Sequence, residues 1–559
     1  MGLGSLLLQR GLLTTADLDR ALVEQRASGE RLDQVLIRLG IVDRPSVLDA
    51  VGEQLHMPVV DLESLTIDPA VLALLPAKLV YKQKCVPISR HNGTLTVATS
   101  DPFELSAADE LRLITGCSIE LVLADENELH KFIRVHYGVG GDTLESLGAG
   151  LSDLPADATG DELEQAQEAS VIKLVNDLLI EAVSERATDV HIEPYERELI
   201  VRYRIDGVLQ RANVPPTISR FAQAIISRLK IMANLNIAEK RRPQDGRISF
   251  RARIQGSSSV QEFDLRVSVI PMVAGEGVVL RVLSKSAVLM TLDHLGMPPG
   301  IRDAWDKLIN RPHGILLVTG PTGSGKSTTL YASLNRIVSD EVKVITIEDP
   351  VEYNVPGVNQ IQVNSQVELS FAAGLRAVLR HDPDVVMIGE IRDKETAETA
   401  VQASLTGHLV FSTLHTNDSA GATTRLLDMG VEPFLVSSSV EGIMAQRLVR
   451  RVCPQCSQPH VPDPSEVPDS FILNPGETHM LGAGCRNCRQ TGYRGRIGVY
   501  ELLALDDRLR EMIMHREPST VIAADAAARG KLSSLLQDGY TKVRAGATTI
   551  AEVLRAVSA

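Results

Sequence analysis

The sequence predicts a multidomain α/β protein organised round one glycine-rich turn, and three observations predict it. The stretch Ile315–Leu330, ILLVTGPTGSGKSTTL, runs from a short apolar, partly β-branched segment through that turn into a helix. Three later strand-like runs, Val344–Ile347, Asp384–Ile388 and Leu409–Leu414, each lead into polar residues. Strands of an open sheet do this where a ligand sits at their carboxyl ends. The length, 559 residues, suits about three or four domains.

Gly320-Pro321-Thr322-Gly323-Ser324-Gly325-Lys326-Ser327 is G-x-x-x-x-G-K-S, the P-loop pattern, and a strand before it with a helix behind it is the context that pattern requires. The glycines let backbone N–H groups curl round a phosphate, and the helix N-terminus adds partial positive charge. Lys326 is expected to reach the β- and γ-phosphates of ATP and the Ser327 hydroxyl to complete a Mg²⁺ shell. Thr328 follows in the same binding set. A chance glycine turn is the plain alternative, and the flanking strand and helix weigh against it. The other strand ends bring Glu348-Asp349-Pro350-Val351-Glu352, Gly389-Glu390-Ile391-Arg392-Asp393 and His415-Thr416-Asn417-Asp418, with His408 just ahead of the third strand. Acids after strands are often helix caps, but four strand ends in one P-loop domain are expected to gather round the phosphates.

Hydrophobic residues make up 44% of the chain and charged residues 23%, a balance with ample core. The net charge of -14 argues against a broad phosphate-binding surface, and the 3% aromatic content against base-stacking platforms. No nucleic-acid partner is expected. No apolar run approaches the ~18 residues of a membrane span and no signal peptide opens the chain, so membrane contact is expected only through partners. Four of the six cysteines fall in Cys453-Pro454-Gln455-Cys456 and Cys485-Arg486-Asn487-Cys488, 28 residues apart. Four thiolates suit a tetrahedral structural Zn²⁺, with a redox dithiol as the minor reading. Cys85 and Cys117 read as core.

In chain order, residues 1–138 form the first expected domain. Gly2–Gln25 aligns without gaps on Arg31–Gln54, setting Leu3 on Leu32, Gly11 on Gly40, Ala21 on Ala50 and Gln25 on Gln54. Each unit reads as two short helices about a glycine turn, and a helical hairpin that merely packs on its repeat is the plain interpretation. Short strands (Leu95–Ala98, Ile119–Val122) and helices (Pro69–Leu75, Asp125–Val135) then suggest a small α+β module. Residues 139–169, rich in Gly, Asp, Glu and Ala, read as a flexible acidic linker. Residues 170–286 are a second domain. It has an amphipathic helix at Val171–Arg186, strands at Asp189–Pro194 and Leu199–Leu209, a helix at Ile218–Ala233, and strand-like RRPQDGRISF and EFDLRVSVIPMVAGEGVVLRVL. Arg247 and Arg266 lie beside those strands, and taken alone they are solvated strand residues or local ion pairs. Residues 290–445 are the nucleotide domain, 446–501 a tetracysteine subdomain and 502–559 a helical end whose last helix starts after Gly546-Ala547-Thr548-Thr549.

With these residues in place the chain resembles the hexameric type II secretion/type IV pilus ATPases over nearly its whole length. The resemblance rests on GPTGSGKST, TIEDPVEY, DVVMIGEIRD and TGHLVFSTLHTND in that order, with RYRIDGVL, PQDGRI, LRVSVIP and, beside the cysteines, TGYRGRIGVYELL. It implies a RecA-like core, a PAS-like α+β second domain, and a cytoplasmic homo-hexamer held at the inner membrane by platform and recruiting proteins. It implies that Glu352 orients or deprotonates the attacking water, that Glu390 acts on Mg²⁺ directly or through water, and that His408 and His415 sense the γ-phosphate. Arg247 and Arg266 are implied to reach a nucleotide from the second domain, and Arg376 and Arg380 to couple the site to neighbours. The implied function is ATP hydrolysis driving pseudopilus assembly in type II secretion. The tetracysteine and the long N-terminal region set it apart from retraction motors, and the C-terminal RAGATTIAEVLRAV resembles the secretion branch. Type IV pilus assembly and, from another class, a RecA-like nucleic-acid motor are the alternatives.

The tandem repeat resembles the motif with which some members bind cyclic di-GMP. Here Gly2-Leu3-Gly4 lacks the arginine of that motif, and Arg31-Leu32-Asp33 has a carboxylate where it has a glycine. Docking to a membrane-anchored partner is the competing role.

Overall fold

At the N-terminus, repetition in sequence becomes repetition in space. The computed structural model describes residues 2–62, 64–65, 67–103, 105–141, 143–144, 160–253, 260–284, 290–463, 465, 467–474 and 476–557. Its contacts divide the chain into two compact units, 1–284 and 285–559. In the first, the helices Leu3–Gln9 and Thr15–Ser28 recur as Leu32–Arg38 and Arg44–Leu55. Thr14 and Asp43, at equivalent positions, cap the second helix of each pair by accepting from the N–H of Asp17 and Ser46. Burial follows the same equivalence, since Leu7 and Leu36, Leu13 and Val42, and Ala21 and Ala50 share one core.

Three strands follow, β1 (Cys85–His91), β2 (Thr94–Thr99) and β3 (Ser118–Leu123), with β1 antiparallel and β3 parallel to β2. The helix Glu126–Tyr137 lays Leu129, Phe132 and Ile133 into their core. Cys85 and Cys117 are buried there as free thiols. The expected linker 139–169 is corrected at both ends. Val139 and Leu144 are buried in the next core, and a helix already runs from Gly160 to Ser184. Glu, Leu, Gln and Ala at 162–169 are strong helix formers and lead directly into the amphipathic stretch. Residues 145–159 lie outside the described residues.

The rest of the first unit is one antiparallel sheet of β4 (Asp189–Pro194), β5 (Leu199–Ile205), β6 (Val208–Arg211), β7 (Gln244–Arg253), β8 (Val260–Met272) and β9 (Gly275–Ser284), in the order β6-β5-β4-β9-β8-β7. Leu174 and Leu178 of the long helix, with Ile225 and Leu229 of the helix Ala222–Met232, share a core with Val190, Val201, Leu265 and Leu280 of the strands.

The second unit is built on β10 (Gly314–Thr319), β11 (Val344–Glu348), β12 (Val358–Gln362), β13 (Val385–Ile388), β14 (Leu409–Leu414), β15 (Val440–Val452), β16 (Ser457–His460), β17 (His479–Gly482) and β18 (Tyr493–Ala504). Seven of them make one sheet in the order β12-β11-β13-β14-β10-β15-β18, parallel throughout except for β18. Every residue of β10 is buried, which is why it reads as an unbroken apolar run rather than an alternating one. The expected borders at 446–501 and 502–559 are redrawn. β15 and β18 form an antiparallel hairpin of the central sheet, so the cysteines and the small β16–β17 ladder occupy its far end, and Leu502–Ala504 is still strand. Pairing between segments so distant in sequence leaves no local mark. Among the described residues no helix is long and apolar enough to cross a membrane.

Candidate nucleotide site and tetracysteine cluster

The P-loop leaves β10 at its carboxyl end. Gly320 has φ 147° and Gly325 φ 90°, and both press on β15. A Cβ on Gly320 would meet the Gln446 carbonyl at 2.5 Å, and one on Gly325 the Gln446 amide nitrogen at 2.7 Å. Gln446 is therefore the floor on which both ends of the loop rest, and its Oε1 also accepts from Thr329 Oγ1 at 2.7 Å. Lys326 opens the helix Lys326–Ile337 and donates from Nζ to the carbonyls of Gly320 (2.9 Å) and Pro321 (3.1 Å). Burial draws its ammonium down to about 8, opposed by Glu390 and reinforced by Arg447. The Ser324 hydroxyl is buried with no hydrogen-bond partner among the described residues, whereas Pro321, Thr322, Gly323 and Ser327 are exposed. A cradle with an orphaned donor and an exposed rim fits a polyphosphate. The Ser327 hydroxyl and the Glu390 carboxylate are hard oxygen donors of the kind Mg²⁺ takes.

Glu390 follows β13 and is held by Arg392 and by His415, whose Nε2 lies 3.1 Å from its Oε2. Burial pushes the Glu390 carboxyl up, but these two partners outweigh it and hold it below its usual range. Glu352 is half-buried. Its backbone N–H donates to the Tyr331 hydroxyl at 3.3 Å, and that hydroxyl donates to Glu348. Glu348, the last residue of β11, also accepts from Thr346 Oγ1 (2.6 Å) and Gln360 Nε2 (3.0 Å) and is 4% exposed, so it pins this strand end while Glu352 stays half-buried. Tyr331, Gln446 and Arg447 are missing from the sequence-derived set. Only the long-range register of β15 on β10 and the contact between the P-loop helix and β11 reveal them.

His408 is a correction. It precedes β14, its carbonyl accepts from the Gly314 N–H, and its Nδ1 lies 2.8 Å from the Ala403 carbonyl oxygen and 3.1 Å from Thr406 Oγ1. Six extended residues of ~3.3 Å rise separate it from His415, at the opposite edge of the sheet from the P-loop. Arg376 pairs with Glu395, and Arg380 donates from Nη1 to the Arg376 carbonyl at 2.8 Å; both are exposed.

Arg247 and Arg266 belong to the first unit, where they are direct cross-strand partners on β7 and β8. Arg281 on β9 continues the row beside Arg266, and its Nε lies 3.2 Å from the Asp189 carboxylate. With Asp245 and Ser268 these residues line a cavity of about 440 Å³.

The four cysteine sulfurs all lie within 4.8 Å of one another. Cys453–Cys485 and Cys456–Cys488 are 3.8 Å apart, and Cys485–Cys488 3.7 Å. A tetrahedron of Zn–S bonds of about 2.3 Å has edges of about 3.8 Å, so the set fits zinc without rearrangement. Chain entry and exit, β15 and β18, are both strands of the central sheet.

At the N-terminal repeat, Arg31 is already engaged. It donates from Nη2 to Asp33 (2.7 Å) and from Nη1 to Asp101 (2.6 Å), and its guanidinium lies 4.6 Å from the Phe103 ring centroid. Arg38 donates to Glu24 and Glu30. A cavity of about 490 Å³ lies beside these residues, lined also by Arg44, Lys82 and Lys84.

Residues 164–555 match the family described as Type II/IV secretion system protein, and residues 55–143 match the MshEN domain. The chain is 41% identical to a Type IV pilus assembly ATPase PilB of Myxococcus xanthus over 99% of its length and 98% of the relative's. It is 45% identical to a Type II secretion system protein E of Pectobacterium carotovorum over 86% and 96%, and 42% identical to one of Xanthomonas campestris over 98% and 97%. The ATPase DotB of Yersinia pseudotuberculosis is similar in fold, with a TM-score of 0.50 and 19% identity over 72% of this chain and 95% of that one.

Proposed function

The chain belongs to the type II/IV secretion system protein family and is an ATP hydrolase, and on that premise we propose that it is the motor of a type II secretion system. In this reading it is a cytoplasmic homo-hexamer at the inner membrane that drives pseudopilus assembly and protein export through platform and recruiting proteins. The observation that carries it is the P-loop on the floor of β15, with Glu390 and His415 held together at the neighbouring strand ends. The parallel sheet supports a RecA-like core, and the six-stranded sheet with its helices a PAS-like second domain.

Lys326 exchanges its two carbonyl partners for the phosphates, and its lowered proton affinity marks a charge held out of water at some cost until an anion arrives. Glu352 orients the attacking water, and its backbone N–H is held by the Tyr331 hydroxyl. Ser327 and Glu390 would hold Mg²⁺, which would neutralise phosphate charge. His415 orients Glu390. Arg247 and Arg266 supply further positive charge to a nucleotide, in the same chain or in a neighbouring copy. Cys453, Cys456, Cys485 and Cys488 hold a structural Zn²⁺ that ties off the β15–β18 hairpin. For the N-terminal domain, docking to a membrane-anchored partner is the better supported role, because the arginine that cyclic di-GMP would use is bound by two carboxylates.

Deletion of the gene tests the whole reading. Loss of protein export, restored by the wild-type chain and not by Lys326→Ala, is the expected result. Intact export with loss of surface pili would instead establish type IV pilus assembly, the reading that the end-to-end match to a pilus assembly ATPase favours. Stimulation of ATP turnover by DNA or RNA would point to a nucleic-acid motor.

A further inference from the structure

One buried cation beneath the P-loop is absent from every role described so far. β15 follows β10 in parallel register as far as Thr319 opposite Ala445, which sets residues 446 and 447 under the Gly320 turn. Arg447 is 3% exposed. Its Nη1 donates to the Gln446 carbonyl at 3.2 Å and its Nη2 to the Asn417 carbonyl at 3.0 Å, while its Nε is buried without a partner among the described residues. No carboxylate there lies within ion-pair distance of it. The acids that face it are Glu501 and Asp418, and both are already committed. Glu501 accepts from the N–H and hydroxyl of Ser419 and from the Leu535 N–H, and Asp418 from the Gly421 N–H.

A guanidinium buried without a carboxylate is costly, and this one stands beside a second cation, Lys326, and the orphaned Ser324 hydroxyl. Such a surplus is balanced when a polyphosphate arrives. The geometry also limits what Arg447 does. A Cβ on Gly320 would lie 3.2 Å from Nη1, so the arginine backs the loop rather than projecting over it. Through Asn417 it ties the turn after β14, which carries His415, to the same frame.

We propose that Arg447 is a positioning residue for the nucleotide phosphates, holding the P-loop rim and the turn after β14 together with a fixed positive charge beneath them. It rests on ATP binding at the P-loop. The test uses the full chain with Mg²⁺, measuring binding of a fluorescent ATP analogue together with steady-state kcat and KM for the wild type, Lys326→Ala, Arg447→Gln and Arg447→Lys. Arg447→Gln is expected to weaken binding and raise KM about tenfold or more, the scale of one charge-assisted interaction, with a smaller fall in kcat. Arg447→Lys, which keeps the charge, is expected to stay within about threefold of wild type. Wild-type affinity in Arg447→Gln, or equal losses in the two Arg447 variants, overturns the proposal. If melting shows Arg447→Gln to be unfolded, Arg447→Lys decides alone, and a tenfold loss there overturns it. Undiminished ATP binding in Lys326→Ala overturns the P-loop reading beneath it instead.

Discussion

Lys326 in the P-loop and Arg31 in the second N-terminal repeat are two cations expected to meet phosphate, and their surroundings are opposite. Among the described residues Lys326 hydrogen-bonds only two backbone carbonyls, with Glu390 and a second buried cation acting on it and an orphaned hydroxyl in the same loop. Arg31 has two carboxylates and an aromatic ring, all from its own chain. A phosphate and a guanine would offer it nothing it lacks. Unspent charge marks a ligand site; spent charge marks a joint. Arg31 is a joint, because Asp101 and Phe103 belong to the α+β module and the arginine fastens the repeat to it.

The arginine row on β7–β9 offers the largest test of that distinction. If the charge of Arg266 is kept for the transition state, Arg266→Ala should lower kcat by about 10³–10⁵. A loss below about tenfold would class the row with Arg31 as a joint. Mixing Arg266→Ala with Lys326→Ala sharpens the result, since restored activity places the target of the arginine across a subunit boundary. Next in size, Glu352→Gln should still bind ATP and lose about 10²–10⁴ in kcat, whereas Lys326→Ala should fail at binding. Wild-type kcat in the glutamine variant would remove Glu352 from the chemistry.

The cysteine cluster extends the comparison to four sulfurs that converge on one point. Cys485→Ser should lower bound zinc, measured by elemental analysis, and lower solubility and melting temperature before it alters ATP turnover per folded chain. A zinc-free variant of unchanged stability would end the structural role. The smallest effect belongs to Arg31. Its pairs are partly exposed, so Arg31→Ala should cost about 1 kcal/mol or less in thermal unfolding. Calorimetry of the full chain with cyclic di-GMP at ~100 μM should give no heat. Tight binding that disappears in Arg31→Ala would reverse the comparison itself.

What was legible in the sequence was local. The strand, P-loop and helix, the pairs of cysteines and the repeat each sit within one short stretch, where residue type and spacing carry the physics. Three things were hidden. Gln446 and Arg447 reach the P-loop only because β15 lies beside β10, a register set by packing between distant segments. Tyr331 looks like any residue on a helix until Glu348 and Glu352 are brought against it. His408 and His415 look alike in sequence, yet an extended strand of six residues sends them to opposite edges. The early part of the helix from Gly160 was hidden for another reason, because its composition is acidic and its apolar periodicity begins only later.

β15 has a mechanical meaning beyond its place in the sheet. Its 13 residues, at ~3.3 Å each, make a beam of about 40 Å. One end is clamped between β10 and β18, the P-loop rests on its middle, and Cys453 follows its tip. With β18 laminated along it, the beam is two-ply and resists bending. Its register slips against β10 between Val440 and Gly442, and against β18 between Arg450 and Val452. A tilt imposed where the phosphates sit would reach the cysteine end multiplied by the length of the arm, with the slip at Arg450–Val452 as the joint along that stretch.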